Sequence, residues 1–358
     1  NLSKVDKYLI YSYLFYFVTF VLSLSINGGK MRDLDTASRV IFFVPVLLLL
    51  LKYPIKTCVL SYSIPLGSII SLCVALYDKF ILNLRPEQNP RIMHIQGGDI
   101  SMSLGIFSLI IALYAHQKKD IKLTTLSVIS GLCGIVGSLL STARGGWVAL
   151  PVLLIVILYI YRHSLSKRFF LTFFGIIVVA SIGISQMPNN RIMERINVVQ
   201  KDIQLYLDKN NGNTSLGARF EMWKSAIAMA KEKPLFGWGI QGATEKRKQE
   251  TKEKVATGNI GQFTHAHNQY LDDLSKRGIV GLLALLAVLF IPLCAFMKKL
   301  NTTNDEVKLI ATLGVVHILS VMIYGLSQGF LVHNSGTIFY FFLTIVFYAA
   351  IRTHQKAE

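Results

Sequence analysis

Apolar stretches recur along almost the whole chain, and they leave few folds open. Ten of them, at 8–26, 40–51, 57–76, 100–116, 123–140, 146–161, 168–186, 279–297, 307–325 and 336–351, approach or reach the length that crosses a bilayer. A helix needs about 20 apolar residues for that. Inside hydrocarbon every backbone amide must be paired within the protein, so the fold expected is all-α, a polytopic bundle of transmembrane helices. The segments at 40–51, 146–161 and 336–351 are short and must borrow flanking residues. Charged residues make up 16% of the 358, where a soluble chain carries about 25%.

Lysine and arginine in the short loops set the orientation. One alternating set of loops holds fifteen and the other seven, which places both termini in the cytoplasm. The stretch 187–278 then faces outward. It carries fifteen Lys/Arg against ten Asp/Glu, a net charge of +5. The organisation expected is about seven spans in 1–186, an outer helical subdomain over 187–278, and three spans in 279–358. Positive-inside sorting disfavours a basic outer surface, so the excess points to an anionic partner on that face, or else to a solvated charged surface. The run 244–254 alternates in charge sign and reads as an exposed helix.

Within the subdomain, Leu216, Phe220, Trp223, Ile227 and Ala230 recur at helical spacing, with Thr214 or Ser215 as cap and Pro234 as stop. That face suits either the membrane surface or the subdomain's own core. The glycines in 235–242 suggest a tight turn whose backbone can approach a ligand. Neither a phosphate-binding loop nor a repeat is present, which argues against direct use of ATP. Cys58, Cys73, Cys133 and Cys294 lie in apolar stretches without metal spacing.

Polar chemistry concentrates at 263–281, on the lip of a span. His267 is the leading catalytic candidate, because histidine serves as a base near neutral pH; the plainer reading is a capping or surface histidine. Asn268 or Thr264 can cap the short helix that follows, Gly278 fits its stop, and Gly281 lets the next span pack closely. A zinc reading of His265 and His267 lacks further ligands at suitable spacing, so no metal or cofactor is expected. Asp272 and Asp273 read as ion-pair partners of Lys276 and Arg277.

Arg144 sits between two long apolar runs with almost no loop. It either grips a phosphate or snorkels beside Trp147. Arg219 either binds an anion or rims its helix. His265, Asn268, His333, Arg85 and Arg91 are the candidate substrate-binding residues around these three. His317, mid-span, reads as a core histidine.

His267-Asn268, nine residues, then Gly278-Ile279-Val280-Gly281 resembles the HN-x9-GxxG signature of bacterial O-antigen ligases. Thr142-Ala143-Arg144 between two spans, and Ser215-Leu216-Gly217-Ala218-Arg219 opening a helix in the large loop, resemble that family too. The resemblance covers roughly residues 30–350. It implies a GT-C-like, metal-independent glycosyltransferase at the periplasmic face of the inner membrane. The implied partners are membrane lipids, a glycan donor on undecaprenyl diphosphate and a lipid A–core acceptor, with no nucleic acid. His267 would be the base or orienting group for the acceptor hydroxyl, and Arg144 and Arg219 would bind the diphosphate. The family's usual number of spans, about twelve, leads us to expect two before residue 1. O-antigen polymerases and protein O-oligosaccharyltransferases share a similar core. A transporter would instead spread polar residues along a midplane path.

Overall fold

The computed structural model describes residues 2–84, 93–166 and 191–354, and the side chains of all of these except 191–196, 353 and 354. Arg85, Arg91 and the span expected at 168–186 lie outside the described residues.

Twelve α-helices are formed among the described residues: α1 Lys4–Asn27, α2 Asp35–Lys52, α3 Thr57–Phe80, α4 His94–Gln117, α5 Ile121–Ser141, α6 Arg144–Tyr161, α7 Arg191–Lys209, α8 Ser215–Glu232, α9 Gly239–Lys252, α10 Gln269–Met297, α11 Asp305–Gly325 and α12 Asn334–His354. Nine of them are long and apolar enough to cross a membrane. No strand occurs among the described residues, and the protein is an all-α polytopic membrane protein. The three short segments recruit their missing length as expected, with α2, α6 and α12 starting at Asp35, Arg144 and Asn334. Pro45, Pro65 and Pro151 lie inside α2, α3 and α6.

The helices α4, α11 and α12 are the most enclosed, and α2 the least. Phe107, Phe296, Tyr324, Phe341 and Phe347 fill the centre. His317 is a core histidine: its Nε2 lies 3.0 Å from the Tyr340 carbonyl. The two loop sets lie at opposite ends. At one end Asp6 pairs with Arg352 at 3.2 Å and Lys118 with Asp305 at 2.7 Å. At the other, the Ser23 hydroxyl donates to the Lys276 carbonyl at 3.0 Å, tying α1 to α10.

The lip is a broken helix. Gly278 has φ +64° and ψ −163°, so α10 runs from Gln269 to the glycine, turns, and continues as a span. The break frees amides and carbonyls that a buried helix must pair elsewhere. The turn after Pro234 supplies the partners. Ile279 donates to the Pro234 carbonyl at 2.8 Å, Val280 to Leu235 at 3.3 Å, and Trp238 donates to Ser275 at 3.0 Å. Gly237 sits against the backbone of Lys276 and Arg277, and a Cβ at Gly278 would overlap the Leu235 carbonyl. The glycine turn is tight and close-packed, as its composition suggested, and its backbone closes on α10. Space beside Gly281 is taken by the Arg277 side chain, not by a neighbouring span.

In α8, Thr214 is the cap, its hydroxyl accepting from the Gly217 amide at 3.0 Å. The buried side is Met222, Ser225, Ala226, Met229 and Ala230, so Ala230 of the expected face is buried, whereas Ile227 is exposed. The expected apolar face is displaced because two sides of α8 pack. Phe220 packs at a tilt against Tyr206 of α7, and Trp223 turns to the histidine segment.

Gly278→Ala would force a side chain into a left-handed position and against a carbonyl. The expected cost exceeds about 1 kcal/mol, read as a lower unfolding temperature of the purified protein.

Candidate functional site

The histidine segment, 263–268, is not a loop free to move. From the solvent side Arg247 of α9 reaches under it. Its Nε donates to the Phe263 carbonyl at 3.2 Å and its Nη2 to Thr264 at 3.0 Å. Arg247 is fully buried, which corrects the reading of 244–254 as merely an exposed helix. Alternating charge hides a residue whose guanidinium fork matches two successive carbonyls. From the membrane side Asp272 accepts from the Ala266 amide at 2.9 Å. Trp223 of α8 donates its Nε1 to the Ala266 carbonyl at 3.1 Å.

The acids after the histidines pair within α10, as their spacing implied, but they do so in the interior. Asp272 binds Lys276 at 2.7 Å, and Asp273 binds Arg277. Arg277 also donates to the Thr19 hydroxyl at 2.6 Å and lies over the Phe20 ring. Asn268 caps α10: its Oδ1 accepts from the Tyr270 and Leu271 amides, both at 3.0 Å. Its Nδ2 donates to the Leu326 carbonyl at 3.2 Å, so both ends of the amide are engaged within the protein.

His267 adopts φ +48°, a left-handed conformation that histidine visits more readily than most residues. Its amide donates to His265 Nδ1 at 3.2 Å, and its own Nδ1 lies 2.8 Å from Gln328 Oε1. The rings of His265 and His267 are 4.2 Å apart, and His333 stands 5.7 Å from His265. Burial, with the neighbouring His267, pushes His265 down to about 3. It is therefore neutral, with Nδ1 free to accept. Burial also lowers the His267 imidazole; the Gln328 bond opposes the shift and the Arg219 charge adds to it. His333 is lowered by burial and by His267. Among the described residues no set of three or more His, Cys, Asp or Glu side chains is arranged to hold a metal ion.

Arg219 lies one helical turn before Trp223 and so faces the histidine segment. Its guanidinium is destabilised first by burial and then by the charge of Arg144, which opens α6 after a left-handed Thr142. Arg144, Arg219 and His267 thus lie within electrostatic reach in sequence. Neither arginine has a hydrogen bond or ion pair among the described residues. Sequence reasoning missed Arg247 and Gln328. Nothing at Gln328 marked it, since its neighbours come from other elements.

A family model described as O-antigen ligase matches residues 126–286, a stretch that contains Arg144, Arg219 and His267. An uncharacterized protein of Haemophilus influenzae is 43% identical over 347 residues, covering 97% of this chain and 87% of that protein. The chain belongs to the O-antigen ligase family. Members of the O-antigen ligase family are glycosyltransferase-like membrane enzymes, and membership implies lipid-linked glycan and lipid acceptor substrates.

In this O-antigen ligase family member the seat of the histidine segment is open to test. Arg247→Met would leave the part-buried Phe263 and Thr264 carbonyls without their donor, at a cost below the about 1–3 kcal/mol of a fully buried group left unpaired. Backbone amide exchange over 263–267 should rise sharply. Unchanged protection would mean that Arg247 does not hold the segment.

Proposed function

We propose that the protein is an O-antigen ligase. It transfers a glycan from undecaprenyl diphosphate to a sugar hydroxyl of lipid A–core, at the periplasmic face of the bacterial inner membrane. Residues 187–278 form the outer subdomain in this reading and carry Arg219 and His267; Arg144 opens the span α6, and His333 lies in the connection between α11 and α12. The observation that carries the proposal is a chain of charge contacts, Arg144 acting on Arg219 and Arg219 on His267, with no counter-charge on either arginine among the described residues.

That arrangement suits displacement of a diphosphate. Two guanidinium groups held close together repel one another and favour an anion between them. As the bond from the anomeric carbon to the diphosphate breaks, the electron pair stays on the leaving group, and Arg144 and Arg219 stabilise the growing charge. The acceptor oxygen forms the new bond to that carbon while its proton passes to His267. Direct displacement inverts the anomeric centre. The driving force arrives with the donor. Asn268 seats His267, and His265 and His333 border the acceptor. Arg85 and Arg91 are proposed to receive a charged head group.

The test is transfer in proteoliposomes given undecaprenyl-diphosphate-linked glycan and lipid A–core. His267→Ala should lower the rate by about 10²–10⁴-fold, and Arg144→Ala or Arg219→Ala by about 10²–10³-fold. Wild-type turnover in His267→Ala contradicts the assignment. Longer lipid-linked chains from donor alone would mean a polymerase.

The pH dependence follows from the lowered His267. A base works in its neutral form, so the rate should hold from neutral pH down past 6.5, the ordinary histidine value. It should fall only below that, as the imidazole takes a proton. An acid limb centred above 6.5 would contradict a buried base.

A further inference from the structure

Gln328 lies just beyond α11, with 1% of its surface exposed. Its amide touches three groups from three parts of the chain. Oε1 is 2.8 Å from His267 Nδ1, Nε2 is 3.2 Å from His333 Nε2, and Nε2 is 3.8 Å from Met93 Sδ. A thioether sulfur can only accept a hydrogen bond. The amide nitrogen must therefore face Met93, and the oxygen must face His267. An amide oxygen can only accept, so His267 carries its proton on Nδ1. Its Nε2 then holds the free lone pair.

We infer that Gln328 is a positioning residue that fixes His267 in the tautomer able to take a proton at Nε2. The inference rests on the reading of His267 as the base. The partner's neutrality matters as much as its geometry. A carboxylate at the same place would also hold Nδ1–H, but it would raise the basicity of His267 and draw on the charge of Arg219. An amide orients the ring and leaves the positive pair to the diphosphate. The other groups acting on His267 are Arg219 from α8 and Asp272 from α10, with His265 and His333 beside it. Gln328 is the group bonded to its ring nitrogen. The Gln328 amide also joins His267 to His333, so the two rings are set together.

The test uses the full chain in nanodiscs and two variants, Gln328→Glu and Gln328→Met. The first readout needs no turnover: the rate at which diethyl pyrocarbonate modifies His267, followed by peptide mass spectrometry against pH. Gln328→Glu should move its midpoint up by about 1 unit or more, and the acid limb of the transfer rate should move with it. Gln328→Met should cut kcat by about 10²-fold or more, with KM for the lipid-linked donor unchanged. An unmoved His267 midpoint in Gln328→Glu, or wild-type kcat in Gln328→Met, overturns the inference. A midpoint that moves while the rate profile stays fixed keeps the Gln328–His267 link and overturns His267 as the base.

Discussion

Ile279 and Val280 donate their backbone amides outside their own helix, and the turn that begins at Pro234 is built to receive them. A transmembrane helix that breaks near the hydrocarbon must pair every group it frees, since an unpaired one costs several kcal/mol there. The turn after Pro234 meets this need with two carbonyls and the Trp238 amide. That requirement welds the subdomain to the span. It explains why two elements forty residues apart both carry glycines with positive φ, Gly237 and Gly278. It also explains why Lys276 and Arg277 are buried, because the segment before the break is pressed between α1 and the turn. Their pairing with Asp272 and Asp273 keeps the buried charge balanced. Breaking such a pair is much more costly than its net contribution suggests, which makes the segment rigid.

Rigidity in that segment is what the site uses. Asp272 binds both Lys276 and the Ala266 amide, so the ion pair that secures α10 also holds the backbone beside His267. Arg247 grips the same segment through the Phe263 and Thr264 carbonyls. Positive charge is handled in two ways within a small volume. Lys276 and Arg277 are neutralised by carboxylates and serve structure. Arg144 and Arg219 lack counter-charges among the described residues; Arg144 acts on Arg219, and Arg219 acts on a histidine whose charged form burial disfavours. The side chain joined to that histidine's ring is an amide, not an acid.

Much of this could be read from the sequence, for definite physical reasons. Hydrocarbon imposes a length and a composition, so the spans stand out, and nine of the expected ten fall within the described residues. Spacing of four residues along one helix revealed both ion pairs, and Gly278, read as a helix stop, marked the place of the break. That Arg144, Arg219 and His267 serve one site is an expectation from a resemblance, since no spacing rule relates such distant residues. What stayed hidden depends on long-range packing. Arg247 was masked by alternating charges around it, although a helix surrounded by protein can bury one charged side if carbonyls await it. The buried side of α8 was misread because both flanks of the helix pack. Gln328 has no local pattern, and its partners lie at positions 93, 267 and 333.

The central claim is that one anion-binding centre joins Arg144 and Arg219 beside His267. A cryo-electron microscopy map of the protein in nanodiscs with undecaprenyl diphosphate tests it directly. The account predicts diphosphate density between the two guanidinium groups, on the side of the histidine segment, with His267 Nε2 facing the terminal phosphate. Density at another surface, or an arginine turned away from the bound diphosphate, would contradict it.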